Sequence, residues 1–363
     1  MLRTHRISDL RSALISFLAM ALALGGLSAV FDAKPAAAAS SQFHWSTVAS
    51  VGDNAPDGSA VFNSFSQPSV NDQGVVVFRA RTKGSPPERG VYIRSGGSTS
   101  SVAIVGDQVP DPNNLQGTFN EFPSFPRIDA TTSNVVTRGQ STPVFSYTLP
   151  DGTDTRVGTS GVYATVGGHL TTGASLLGAI TTPDYSYFAV PGVTPTTRFD
   201  QFPGSPAIDG NTIVFKGNYT TVDGVGLTGV YYRDLSVANS PVQLIADSST
   251  VIPGQDTVKF GSTAPPSAAG GKAVFTGWDN EDAPTVGGVF ISNLQPDSTP
   301  GILATIGEQV PGQASGTTFT NFGEGVSFDG RFAAFWGSWG SETRSITLYC
   351  PTDGNADLLA YCN

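Results

Sequence analysis

A four-part unit returns five times along this chain, and that repetition limits its possible folds more than any other feature. The unit opens on Ala/Val-x-Ile/Val-Gly-Asp/Glu-x-x-Pro at 49–56, 103–110 and 304–311, with a weaker copy at 244–253. A Phe-x-x-Phe pair follows: Phe62/Phe65, Phe119/Phe122, Phe199/Phe202, Phe319/Phe322, and a shortened form ending at Phe260. Next comes an apolar–turn–apolar stretch at 69–79, 127–138, 207–216, 267–276 and 327–336. A short apolar run closes the unit at 90–94, 161–165, 229–233 and 288–292, with a weaker copy at 345–350.

Each unit therefore holds four short segments of Val, Ile, Phe and Tyr, set off by Gly, Pro, Asn or Asp, which is the strand-and-turn pattern. The 363 residues include 43 Gly and 25 Pro, and no sustained helical period runs through them, so a helical bundle or coiled coil is excluded. A hydrophobic content of 39% excludes a disordered chain. One twisted four-stranded sheet cannot cover both of its apolar faces, whereas packing such sheets around an axis buries them. The expected fold is all-β: a β-propeller of five four-stranded blades in a single domain over 40–363. Residues 44–51 match the last strand of a unit, and the chain ends on the first three strands of a fifth. The N-terminal strand is thus expected to complete the final blade and close the ring.

Asn71, Gly74, Phe78 and Ala80 form Asn-x-x-Gly-x-x-x-Phe-x-Ala. The other units keep parts of it: Gly139, then Phe215/Gly217, Phe275/Gly277 and Phe335/Gly337. In this the chain resembles secreted bacterial proteins with tandem NxxGxxxFxA repeats, a likeness that implies a repeated β scaffold and no particular chemistry.

The first 39 residues read as an export signal. Arg3, Arg6 and Arg11 precede an apolar stretch at 13–31 and small residues at 36–39, with cleavage expected after Ala39. An uncleaved anchor is the alternative, since the stretch is long enough to span a bilayer. The expected location is secreted, extracellular or periplasmic in a bacterium. Residues 1–39 hold four cations and two acids, so the net charge of −10 becomes −12 without them. Nucleic acid and an anionic membrane surface both need a basic footprint and are excluded as partners. Cys350 and Cys362 are the only cysteines, and an oxidising compartment favours a disulfide between them. A monomer is expected.

In such a propeller the longer connections share one face, which makes it the candidate for function. Asp53, Asp107, Asp247 and Glu308 recur after the same strand and read as scaffold groups bonding the turn backbone. Glu121 and Asp200 lie between paired Phe residues of neighbouring units. Two carboxylates so placed are the minimum apparatus for glycosidic acid/base cleavage, and the alternative is a solvated rim. Arg127 and Arg198 could hold an anionic sugar. Tyr185, Tyr187, Tyr219, Trp278 and Trp339 fall in expected long loops, where they either stack on sugar rings or pack the loops themselves. The acidic run 279–282 suits Ca²⁺ in composition but lacks a calcium-loop spacing. Gly224-x-Gly226-x-x-Gly229 runs into a strand instead of opening a helix, so nucleotide binding is not expected, and no zinc spacing occurs. The reading is an exported propeller that binds or cleaves an extracellular polysaccharide, as a hydrolase or lyase. The alternative is a lectin or cell-surface interaction scaffold. A lectin predicts similar pockets in several blades; an enzyme predicts one pocket on the axis.

Overall fold

The computed structural model describes residues 46–341, other than 57, 59, 113, 149–151, 153 and 178–187. The chain divides into two compact units, Met1–Thr47 and Val48–Asn363, and every described strand belongs to the second. Blade 1 holds β1 (Val61–Phe65), β2 (Ser69–Val70), β3 (Val76–Lys83), β4 (Arg89–Ser95) and β5 (Ser98–Ile104). Blade 2 holds β6 (Phe119–Glu121), β7 (Arg127–Ile128), β8 (Val135–Thr148), β9 (Asp154–Val166) and β10 (His169–Ser175). Blade 3 follows with β11 (Ala207–Asp209), β12 (Thr212–Thr220), β13 (Gly226–Asp234) and β14 (Gln243–Asp247). Blade 4 has β15 (Ser262–Thr263), β16 (Ser267–Ala269), β17 (Lys272–Trp278), β18 (Gly287–Asn293) and β19 (Gly301–Thr305). Blade 5 is described as far as β20 (Phe319–Phe328) and β21 (Ala333–Trp339). All pairing is antiparallel, in the order inner strand, second, third, outer strand, and no helix is long and apolar enough to cross a membrane among the described residues. The architecture is a β-propeller, and its inner strands line one shared channel.

Proline decides how each inner strand is built. Pro68, Pro126, Pro206 and Pro266 stand immediately before β2, β7, β11 and β16, and each separates the strand from the Phe-bearing segment upstream. Proline offers no N–H to the ladder, so pairing stops and restarts there. Blade 5 has Val326 at the same place, and β20 runs through without a break.

The blade filling is an aromatic set that the repeat supplies four times over. The first Phe of each pair meets the third-strand aromatic edge to face: Phe62–Tyr92 at 5.0 Å, Phe119–Tyr163 at 4.8 Å, Phe199–Tyr231 at 4.9 Å and Phe260–Phe290 at 5.2 Å. That ring lies against the small residue of Phe-x-Ala/Gly. A Cβ on Gly139, Gly217, Gly277 or Gly337 would sit 2.6–2.8 Å from Cε1 of Phe119, Phe199, Phe260 or Phe319. The repeat motif is thus a packing rule, with the small residue leaving room for a ring. Where neighbouring blades cover both faces a second strand is buried almost continuously, as in β17, whereas β21 of blade 5 is largely exposed.

A chain of turn contacts joins blades on the short-turn side. Asp129 Oδ1 accepts from Gly210 N at 2.7 Å, Asp209 Oδ2 from Gly271 N at 2.5 Å, and Asn71 Nδ2 donates to Thr132 O at 2.7 Å.

Four expectations are corrected. Residues 46–51 form no strand; a strand needs a ladder partner, and the expected one, 345–350, lies outside the described residues, as do Cys350 and Cys362. The expected loop 140–160 is largely a ribbon of β8 against β9, with a register shift at Pro143. Tyr219 and Trp278 are strand residues, not loop residues. Because β12 and β17 run on to Thr220 and Trp278, both side chains are buried, at 3% exposure each. Finally, Thr250, not Asp247, fills the recurring slot in blade 3. Val251 bridges Lys259 as Gln108 bridges Thr118 and Gln309 bridges Thr318, and Asp247 N donates to Thr250 Oγ1 at 3.0 Å. Asp53, Asp107 and Glu308 do hold that slot, each accepting from the backbone N of the residue three before it.

Candidate functional site: clefts between blades

On the long-connection face, successive blades part into clefts built from equivalent positions. The residue just before the motif's Ala or Gly on the second strand forms one wall: Arg79, Arg138 and Lys216. Two residues further on stand Arg81, Gln140 and Asn218, and the residue before the third-strand glycine is Arg89, Ser160 or Thr228. The next blade supplies the opposite wall. The clefts measure about 270 Å³ between blades 1 and 2, about 680 Å³ between 2 and 3, and about 540 Å³ between 3 and 4.

Chemistry differs from cleft to cleft. Arg79 and Arg138 reach across to the next blade, donating to the carbonyls of Phe122 and Phe202, the latter at 2.9 Å. They are staples as much as cleft walls. Lys216 lies instead between carboxylates: burial pulls its ammonium pKa down, and the charges of Glu281 and Glu324 pull it up. Around it the cleft is polar. Asn218 Oδ1 is buried without a hydrogen-bond partner, Thr228 Oγ1 meets Thr263 Oγ1 at 2.9 Å, and Ser262 Oγ donates to Glu281 at 2.5 Å. Tyr219 closes the floor; burial and then the charge of Asp247 push its phenol up to about 12, so it stays neutral.

The sequence-selected residues are spread over these features. Glu121 lines the first cleft, ion-paired to Arg89 and accepting from its neighbour's backbone, Phe122 N, at 2.9 Å. Asp200 borders the second and third clefts, accepting from Thr220 Oγ1 at 2.6 Å. No single cavity among the described residues is lined by both carboxylates, so the structure does not bring the expected acid/base pair together. Glu121 is the second residue between its Phe pair and Asp200 the first between its own, so the two are offset by one residue and line different clefts. Arg198 lines the second cleft and donates to Leu176 O at 3.3 Å. Arg127 is not on this face but on β7, in the axial channel. Trp339 stays exposed at the end of β21. Tyr185 and Tyr187 lie outside the described residues. In the acidic run, Asp279 accepts from Thr285 N and Oγ1 and from Val286 N, closing its own loop. No group of three His, Cys, Asp or Glu stands within metal-holding reach among the described residues.

Lys216, Arg79, Arg138 and Asn218 escaped the sequence reading. The signal was present, because three of five units carry a cation immediately before the motif's small residue. Only the packing of one blade on the next shows which way that position faces.

A family model described as a family of unknown function (DUF7453) matches residues 21–359. No curated protein matches the chain. Among solved structures, the Hadza microbial sialidase Hz136 aligns at 12% identity over 70% of this chain and 48% of its own, with a TM-score of 0.33. A protein of unknown function from Dyadobacter fermentans aligns at 11% over 66% and 52%, TM-score 0.24. The β-propeller domain of the Trilobed protease from Pyrococcus furiosus aligns at 12% over 80% and 97%, TM-score 0.26. The chain spans about half the length of the first two. Scores this low add nothing to the architecture already read from the sheets.

Proposed function

The chain belongs to the DUF7453 family, and we propose that it is an exported module that binds an extracellular polysaccharide in the clefts between its blades. The observation that carries the reading is the repetition of clefts at equivalent positions between blades 1 and 2, 2 and 3, and 3 and 4, the first and last of them mainly polar. Pockets at equivalent places in successive blades suit a multivalent binder, because a polymer can occupy several at once and gain avidity over any single contact. The cleft between blades 3 and 4 is the strongest of them. A sugar ring carries hydroxyls that both donate and accept. Lys216 donates, the Asn218 amide oxygen and Glu281 accept, and Thr228 does either. The unpartnered Asn218 oxygen fits this reading, since an unmade buried hydrogen bond is costly until a ligand makes it.

Glu121 and Asp200 enter this reading as cleft walls rather than as an acid and a base. The test is a panel of purified polysaccharides assayed for retention by the full chain and for release of reducing ends. Saturable retention without new reducing ends is expected, weakened several-fold by Asn218→Ala. Reducing-end release that disappears in Glu121→Gln or Asp200→Asn would replace binding with hydrolysis as the activity.

A further inference from the structure

The axial channel holds Ser124, Arg127, Ser205 and Glu324, none of which lines a cleft described above. Its upper chamber, about 430 Å³, is lined by Ser66, Arg79, Ser124, Arg127, Ser205 and Glu324, among others, and so draws on several blades. A lower chamber of about 770 Å³ is lined by inner-strand residues of all five, and Arg127 borders both. The blades present unlike residues here. At the position of Arg127 the other inner strands carry Ser69, Ala207, Ser267 and Ser327, so this cation appears once around the axis.

Arg127 has no carboxylate within ion-pair distance among the described residues. Its guanidinium rests 5.7 Å from the centre of the Phe125 ring and gives one long hydrogen bond, 3.4 Å, to Pro266 O on a blade beyond its neighbour. A guanidinium carries five N–H donors. In the same chamber the Ser124 and Ser205 hydroxyls are buried, at 9% and 5% exposure, and neither has a hydrogen-bond partner among the described residues. A half-buried cation without a carboxylate partner among the described residues, beside two buried hydroxyls in a chamber of ligand size, is a set of donors short of an acceptor.

We propose that this channel is a second ligand site, which takes the carboxylate of a sugar acid on Arg127 and its hydroxyls on Ser124 and Ser205. The planar guanidinium suits a carboxylate in a two-point pairing. Glu324 on the chamber wall disfavours a dianion such as phosphate, and it offers an acceptor for a further hydroxyl. The choice of a sugar acid rests on the polysaccharide reading above; the anion site itself does not. A free sugar acid and the end of an acidic chain share this chemistry.

The experiment is calorimetric titration of the full chain at low salt with galacturonate, with galactose as the neutral control and with trigalacturonate. Galacturonate is expected to bind at least about tenfold more tightly than galactose, and Arg127→Gln to remove at least about tenfold of that affinity. Loss of galacturonate affinity in Arg127→Gln reads the channel, and loss of polysaccharide retention in Asn218→Ala reads the cleft, so that failure of the cleft reading and failure of the channel reading are told apart. Trigalacturonate binding that is also lost in Arg127→Gln assigns the site to a chain end; binding of the monosaccharide alone assigns it to a free sugar acid. Equal affinity for galacturonate and galactose, no binding of either, or an unaltered Arg127→Gln would overturn the proposal. Should Arg127→Gln fail to fold, the Ser124→Ala/Ser205→Ala pair decides: a several-fold loss is expected, and wild-type affinity refutes the site.

Discussion

Replacing Asp129 tests the idea that turn carboxylates hold blade to blade. Asp129 is 1% exposed. Its Oδ2 accepts from Thr132 N at 2.6 Å and from Thr131 N at 3.1 Å, while Oδ1 accepts from Gly210 N of the next blade at 2.7 Å. Hydrogen bonds to a charged acceptor are worth about 1.5–3 kcal/mol net each. Thr131 and Thr132 lie on an exposed turn, where water recovers part of their loss. Gly210 N does not regain its partner so easily. Asp129→Ala is therefore expected to cost about 2–4 kcal/mol, and Asp129→Asn, which keeps one acceptor oxygen, about half as much. Acidity supplies the second arm. Burial acts to raise the Asp129 pKa, but the Gly210, Thr132 and Thr131 donors outweigh it and hold the carboxyl below its ordinary value. A carboxyl lowered on folding stabilises the protein above the unfolded-state pKa of about 3.9, and the contribution is lost as pH falls through the folded value. Urea denaturation of wild type and both variants from pH 7 to pH 3 should show a constant gap down to about pH 4 that narrows below it. A gap under about 0.5 kcal/mol at pH 7, or one that does not change with pH, would refute the reasoning.

Three further substitutions examine the packing. Gly217→Val places a branched side chain where a Cβ alone would stand 2.6 Å from the buried Phe199 ring, and should cost about 1–3 kcal/mol by denaturant midpoint. Arg138→Met keeps the bulk and removes the donor to Phe202 O, so a loss of about 1–2 kcal/mol is expected by the same measurement. Tyr231→Phe deletes a buried hydroxyl that has no hydrogen-bond partner, at a site where blade 4 already carries Phe290. It should be neutral or slightly stabilising, within about 0.5 kcal/mol, and a melting temperature several degrees lower would contradict that.

What the sequence determined by itself was the strand plan. Short segments of Val, Ile, Phe and Tyr, turn residues between them and a five-fold repeat specify sheets that must pack radially, because those are local or neighbouring constraints written into every unit. The Phe-x-x-Phe pairs and the Phe-x-Ala/Gly slots were visible as text, and even the proline that splits four inner strands could be aligned. What only the tertiary structure decided was facing. Glu121 and Asp200 both lie between the paired Phe residues of neighbouring blades, yet each opens onto a different cleft, since they are offset by one residue within the pair and belong to different blades. Tyr219 and Trp278, read as loop aromatics, are buried because the ladder runs a few residues past the last apolar signal. Asp247 entered the wrong slot because a weak copy of a motif can be aligned more than one way, and the Val251–Lys259 bridge settles it. Arg127 lies in the channel through the register of β7 against β8, a pairing that composition and spacing do not encode.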